Sequence, residues 1–132
     1  MIATIRCDAT AAWQALREHY TSAGRAFDLR TAFASDAGRY EAFALEAPEV
    51  FADLSKNLWD SRTRDLLLEL AHQCGVAHWR DAMVAGAPIN STEGRAVLHT
   101  ALRAPRGAGP HSQDVHEVLA TPCAGQRVLR SN

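Results

Sequence analysis

The stretch Asp60-Ser61-Arg62-Thr63-Arg64-Asp65-Leu66-Leu67-Leu68-Glu69-Leu70-Ala71-His72-Gln73-Cys74-Gly75 decides the fold class. Thr63, Leu66, Leu67, Leu70, Ala71 and Cys74 recur at three- and four-residue steps, which puts them on one face of a helix. Asp60 is placed to cap its start and Gly75 to end it. Leu68 lies off the stripe, so the spacing predicts a helix covered on two sides. Upstream, Ala9, Ala12, Trp13, Leu16, Tyr20 and Ala23 give a second helical face, with Asp8 as the expected cap and Gly24 as the stop. Between them, Leu29 to Phe33 and Arg39 to Leu45 read as short helices, the latter ended by Pro48. Val50 to Leu54 is the strand, bounded by Pro48 and by Ser55-Lys56-Asn57. Downstream, a helix over His78 to Val84 should stop at Gly86 and Pro88. Asn90-Ser91-Thr92-Glu93 has the form of a capping box for a helix carrying Val97, Leu98, Ala101 and Leu102 inward. A link, Arg106 to Pro110, then leads to a last helix over Asp114 to Ala120. The fold class is therefore mostly α, short helices with one or two short strands. A lone strand cannot satisfy its own backbone groups, which suggests a missing partner.

The chain has 132 residues, 47% hydrophobic and 22% charged, with 15 acids against 14 bases. That fits one domain at most and argues against disorder. Its longest stretch without Asp, Glu, Lys or Arg, Ala82 to Thr92, falls far short of the roughly 20 apolar residues a bilayer demands. Arg6 and Asp8 interrupt any secretory signal, so the expected compartment is the cytoplasm. A net charge of −1 offers no general attraction for phosphate backbones or anionic lipid, so neither nucleic acid nor membrane is expected as a partner. Cys7, Cys74 and Cys123 are odd in number and widely spaced, and read as reduced, mostly buried thiols.

Few side chains group as chemistry would need. His72, Cys74 and His78 lie within seven residues, but Gly75 falls between the last two and breaks the helix that would align them on a metal. His111, His116 and Cys123 match no metal-ligand spacing. No Gly-x-Ser-x-Gly elbow presents a nucleophile, and the Gly107-x-Gly109 pair lacks the preceding strand of a phosphate loop. Asn90-Ser91-Thr92 fits the glycosylation pattern, yet capping is the better reading without a secretory signal. Arg95, Arg103 and Arg106 form a modest basic strip that could meet a phosphate or carboxylate, although a solvated face is the better reading of such a strip taken alone. The residues themselves specify no reaction and no catalytic, cofactor-binding or metal-binding position.

One block is more specific. Arg80-Asp81-Ala82-Met83-Val84-Ala85-Gly86, followed by Ile89-Asn90-Ser91-Thr92-Glu93-Gly94-Arg95-Ala96-Val97-Leu98-His99-Thr100-Ala101-Leu102-Arg103, closely resembles the amino-terminal region of the glucose-6-phosphate isomerase family. Asp53-Leu54-Ser55-Lys56-Asn57 is similar to that family's Asp-x-Ser-Lys-Asn strand end. Ala12-Trp13-x-x-Leu16-x-x-His19 is similar to its opening helix, and Asp114-Val115-His116-x-Val118-Leu119 to the helix after its arginine-rich link. The resemblance runs in order from about Thr10 to Ala120. It departs at Ala87-Pro88, where the family usually has Glu-Lys, and at Leu54, where Tyr is common. After Ala120, Thr121-Pro122-Cys123-Ala124-Gly125-Gln126 replaces a helix rich in Met and Phe.

The resemblance implies the amino-terminal helical segment of an α/β sugar isomerase over residues 1–120, with a divergent, disordered tail over 121–132 left by truncation. It further implies interconversion of glucose 6-phosphate and fructose 6-phosphate in glycolysis and gluconeogenesis, by a cytoplasmic homodimer without metal or organic cofactor. A glutamate base moves a proton between C2 and C1 through an enediol while Ser and Thr residues hold the phosphate. Those groups lie outside the matched region, so no position here inherits them: Glu93 reads as a cap, and Arg95, His99 and Arg103 as dimer or domain contacts at most. The isolated chain is expected to be inactive, marginally stable and rich in exposed apolar surface. The competing expectations are a free-standing helical interaction module, and a small metal-binding domain using Cys74 and His78.

Overall fold

A computed structural model describes residues 5–109 and 111–120. Among them are seven helices and one two-stranded sheet, so the chain is mostly α. They divide into two compact units, residues 5–74 and 75–120.

The first unit is built on α1 (Ala11–Ser22) and α4 (Ser61–Gln73). Two ties run between them. The Ala12 amide donates to Gln73 Oε1 at 3.0 Å, and His19 Nε2 lies 3.0 Å from Asp60 Oδ1. The start of each helix thus meets the end of the other, which fixes the pair as antiparallel. Asp60 caps α4 as its position predicts, accepting from the Thr63 amide at 2.7 Å. Leu66 is buried, whereas Leu68 is 64% exposed, so only one side of the helix is covered. The cap of α1 is Thr10, not Asp8: its hydroxyl accepts from the Trp13 amide at 3.2 Å and donates to the Cys7 carbonyl at 2.7 Å. Asp8 instead lies in a 3₁₀ turn, Cys7–Ala9, and pairs with Arg6. The helix also ends at Ser22, short of Gly24, which opens a second 3₁₀ turn, Gly24–Ala26.

Two short helices follow, α2 (Leu29–Ser35), capped by Asp28, and α3 (Arg39–Phe43). The chain then straightens into β1 (Ala44–Ala47), which pairs antiparallel with β2 (Val50–Asp53). Leu45 is therefore a strand residue, and the strand that looked solitary has its partner three residues upstream. The register opposes Leu45 to Ala52 and Ala47 to Val50. Because side chains alternate across a sheet, these four share one wholly apolar face, while Ala44, Glu46, Phe51 and Asp53 share the other. Pro48 and Glu49 make the turn, and Glu49 takes φ +63°, a left-handed conformation that favours glycine.

The second unit contains α5 (Val76–Val84), α6 (His99–Arg103) and α7 (Ser112–Ala120). Asn90 makes its capping bonds, accepting from the Thr92 amide at 3.2 Å and the Glu93 amide at 3.3 Å. No helix follows directly, however. Gly94 at φ +65° turns the chain back, the Asn90 amide donates to the Arg95 carbonyl, and helix resumes only at His99. Ala101 is buried as expected, but Leu102 is exposed. Buried Ser112 anchors α7 to the link before it: its Oγ accepts from the Gly107 amide at 2.9 Å, and His116 Nε2 lies 3.2 Å from the Ala104 carbonyl.

The buried set is small. Among the described residues the buried apolar side chains are Ala12, Phe43, Leu66 and Ala101. Many large apolar residues are exposed instead, among them Tyr20, Phe51, Leu58, Val76 and Val84. Cys74 is half-buried and Cys7 is exposed, contrary to the expectation of buried thiols, because Cys7 opens a surface turn; Cys123 lies outside the described residues. No helix among the described residues is long and apolar enough to cross a membrane.

Candidate functional site

The densest polar arrangement surrounds Arg39, at the start of α3 and only 3% exposed. Its Nε donates to the Ser55 carbonyl at 2.8 Å, and its Nη2 to the carbonyls of Asn57 at 3.1 Å and Trp59 at 2.9 Å. The Phe43, Phe27 and Phe33 rings surround the guanidinium at 4.7, 5.4 and 5.5 Å from Cζ. A buried cation is tolerated only with its hydrogen bonds made. Here the carbonyls and ring faces replace water, and the planar fork of the guanidinium spans three acceptors that a lysine could not reach together. The result fixes the loop of residues 54–59 against α3.

The same loop begins with the Asp53-Leu54-Ser55-Lys56-Asn57 motif. Asp53 Oδ1 accepts from the Ser55 amide at 2.9 Å and hydroxyl at 2.5 Å, and Oδ2 pairs with Lys56 Nζ at 2.6 Å. Lys56, then the Ser55 hydroxyl and amide, hold the Asp53 carboxyl down at about 2. Trp59 closes the loop, its indole donating to the Leu54 carbonyl at 3.2 Å. Asp53, Ser55 and Lys56 thus shape the turn through their side chains, and Asn57 through its main chain.

A second arrangement lies along α1 and α4. A groove of about 520 Å³ is lined by Trp13, Leu16, Tyr20, Leu58, Thr63 and Leu67 among others, with His19 at its wall. His19 faces Asp60, whose carboxylate also accepts from the Thr63 amide and hydroxyl. Partial burial raises the Asp60 pKa, but the Thr63 bonds and His19 outweigh it and leave the carboxyl below its ordinary value.

The residues singled out by sequence do not converge on a reaction centre. Glu93 is held by Asn90 Nδ2 at 3.0 Å and by an ion pair with Arg95. Arg103 donates to the carbonyl of His99, one turn back in its own helix, at 3.3 Å. Arg106 is exposed. Among the described residues no three His, Cys, Asp or Glu side chains are grouped to hold a metal, and none of the Cys74, His78, His111 and His116 set forms such a group. Sequence reading missed Arg39, because one arginine among many gives no signal of burial. Three phenylalanines at 27, 33 and 43 around it were the available hint.

The family model for phosphoglucose isomerase matches residues 53–129, more than half of the chain. The chain belongs to the phosphoglucose isomerase family. It is 72% identical over 116 residues to a glucose-6-phosphate isomerase of Leptothrix cholodnii, a match covering 88% of this chain and 21% of that protein. It is 59% identical over 115 residues to that of Methylibium petroleiphilum, covering 87% and 21%, and 46% identical over 128 residues to that of Deinococcus deserti, covering 92% and 23%. The chain spans about a fifth of the length of these phosphoglucose isomerase relatives.

Proposed function

We propose that this chain supplies scaffold, and no reacting group, to a glucose-6-phosphate isomerase that interconverts glucose 6-phosphate and fructose 6-phosphate. The observation that carries this reading is the pairing of 72% identity with 21% coverage of the relative: kinship is close, but only a fifth of such an enzyme is matched. Proton transfer between C1 and C2 of a sugar needs a carboxylate free to take the proton and fixed donors for the enediol oxygen. Asp53, Asp60 and Glu93 are instead engaged with Lys56, His19 and Arg95, as caps and turn braces. The role falls to residues 1–120, within which the family motifs run in order from about Thr10, while the family match itself continues to residue 129. In this reading the complete enzyme is a cytoplasmic homodimer that takes a sugar phosphate and needs no metal or organic cofactor.

The test is a coupled assay of fructose 6-phosphate turnover on two proteins. One is the purified 132-residue chain; the other is a chimaera in which this chain replaces the matching fifth of the Leptothrix relative. The chain alone should match buffer, and the chimaera should turn over at a rate comparable with its parent. Turnover by the chain alone, or a folded chimaera without activity, overturns the reading.

A further inference from the structure

The groove along α1 and α4 has one charged member that the fold leaves unused. Arg17 is exposed and lines both this groove and a second one that runs along α1 itself, so it stands at the rim the two share. Among the described residues no carboxylate pairs with it. No Asp or Glu lines the first groove. Asp60, behind His19, is spent on His19 Nε2 at 3.0 Å and on the Thr63 amide and hydroxyl, and Glu18 lines the second groove alone. The rest of the wall is hydrocarbon and ring: Trp13, Leu16 and Leu67 are half-buried, and Tyr20 and Leu58 are exposed. Gly24 also lines it, and a Cβ there would stand 3.3 Å from Tyr20 Cδ2, so the missing side chain leaves the ring room to lie along the wall.

A volume of about 520 Å³ lies in the range that holds a small organic molecule, and such sites are mostly apolar with a few placed polar groups that fix orientation. Here the wall selects an apolar body and the guanidinium selects an anionic head, which a carboxylate supplies in the planar form that two N–H donors can grip together. An uncharged analogue of the same shape loses that grip, and an ammonium meets Arg17 as a like charge. A sugar phosphate is the wrong class, because its hydroxyls would face hydrocarbon without hydrogen-bond partners. We propose that the groove lined by Trp13, Leu16, Arg17, Tyr20, Leu58 and Leu67 binds a small amphiphilic carboxylate, its aromatic or branched hydrocarbon body between α1 and α4 and its carboxylate on Arg17. The proposal goes beyond the functional reading above and does not depend on it. The walls are held in place before any ligand arrives: Arg39 fixes the carbonyls of Asn57 and Trp59 on either side of Leu58, and the His19–Asp60 contact ties α1 to α4.

Amide NMR spectra of the isotope-labelled 132-residue chain test this by titration with 2-naphthoate, the uncharged 2-naphthamide and the cationic 2-naphthylmethylammonium. Naphthoate should shift the amides of Trp13 to Thr21 and of Leu58 to Leu67 saturably and bind more tightly than the amide, with the ammonium weakest. Arg17→Gln changes an exposed side chain with no ion-pair partner among the described residues, so the fold should be kept. It should weaken naphthoate about fivefold and leave naphthamide unchanged. Leu58→Glu should abolish naphthoate binding, with the amide spectrum away from the groove unaltered. Equal affinity for naphthoate and naphthamide overturns the proposal, as does an Arg17→Gln variant that binds naphthoate as tightly as its parent, or shifts centred outside the groove. Fructose 6-phosphate moving the same amides where naphthoate does not would overturn it too. So would broadening of these amides with protein concentration alongside a dimer in sedimentation, which makes a second copy the occupant.

Discussion

Residues 5–74 and 75–120 are held by different means. In the first unit a buried arginine draws three carbonyls and three aromatic rings to itself, and two side-chain ties lock α1 to α4. In the second the buried residues among those described are Ala101 and Ser112, and order rests on turns: Asn90 gathering Thr92 and Glu93, Ser112 gathering the link before α7. Yet the second unit holds the longer family signature, Arg80 to Arg103. A recognisable sequence is thus no guide to self-sufficiency. Where few side chains are buried locally, a long shared sequence points to contacts that the segment makes with something else.

The largest expected effect breaks this contrast at Arg39. Arg39→Met keeps apolar bulk but strips hydrogen bonds from the carbonyls of Ser55, Asn57 and Trp59, and leaving buried acceptors unpaired costs about 3 kcal/mol in all. Native-state hydrogen exchange should show protection lost over residues 5–74 while residues 75–120 exchange as before. Equal loss in both would mean that the two units share one cooperative core.

A smaller effect is expected at Asp60, which serves as cap and helix tie together. Asp60→Ala should cost about 1–2 kcal/mol in urea denaturation, within the range for a lost cap. Its carboxyl is held below the ordinary value in the folded chain, so its contribution is fully present above the ordinary carboxylate range and is lost as pH falls through the folded value. Asp53, held at about 2, has the same sign. Stability of the first unit, followed by tryptophan fluorescence, should therefore decline as pH drops below about 4, and Asp60→Ala should flatten that decline.

The smallest change sharpens the contrast by strengthening the first unit. Glu49 occupies φ +63°, where a side chain costs about 1 kcal/mol relative to glycine, so Glu49→Gly should raise stability by roughly 0.5–1 kcal/mol. A loss on chemical denaturation would show that the glutamate side chain makes a contribution larger than the strain.

What the sequence disclosed, and what it hid, follows the same physics. The helix from Ser61 to Gln73 was legible because its cap, stripe and stop are all local. The strand Ala44–Ala47 was not, because three of the six residues from Ala42 to Ala47 are alanines, which suit a helix, and its turn lacks the glycine or asparagine that marks a hairpin. Asn90 misled differently. Its hydrogen bonds formed as spacing implied, but Gly94 sends the backbone left-handed one residue after the box, and a cap does not dictate what comes next. The Arg39 anchor was illegible because its acceptors are main-chain oxygens, which carry no residue code. As for the candidate site, the scarcity of grouped reacting side chains was legible in the sequence, while the groove along α1 and α4 emerged only when Trp13 and Leu67, more than fifty residues apart, came to line it together.

The hairpin carries one more consequence. Among the described residues its sheet stops at two strands, so the outer amides and carbonyls of β1 and β2 have no neighbouring strand, beside a face made of Leu45, Ala47, Val50 and Ala52. Such an edge is a template on which another chain can add rungs. Glu46 and Glu49 put negative charge at that margin, and mutual repulsion between copies then opposes fibre growth when the protein is synthesised.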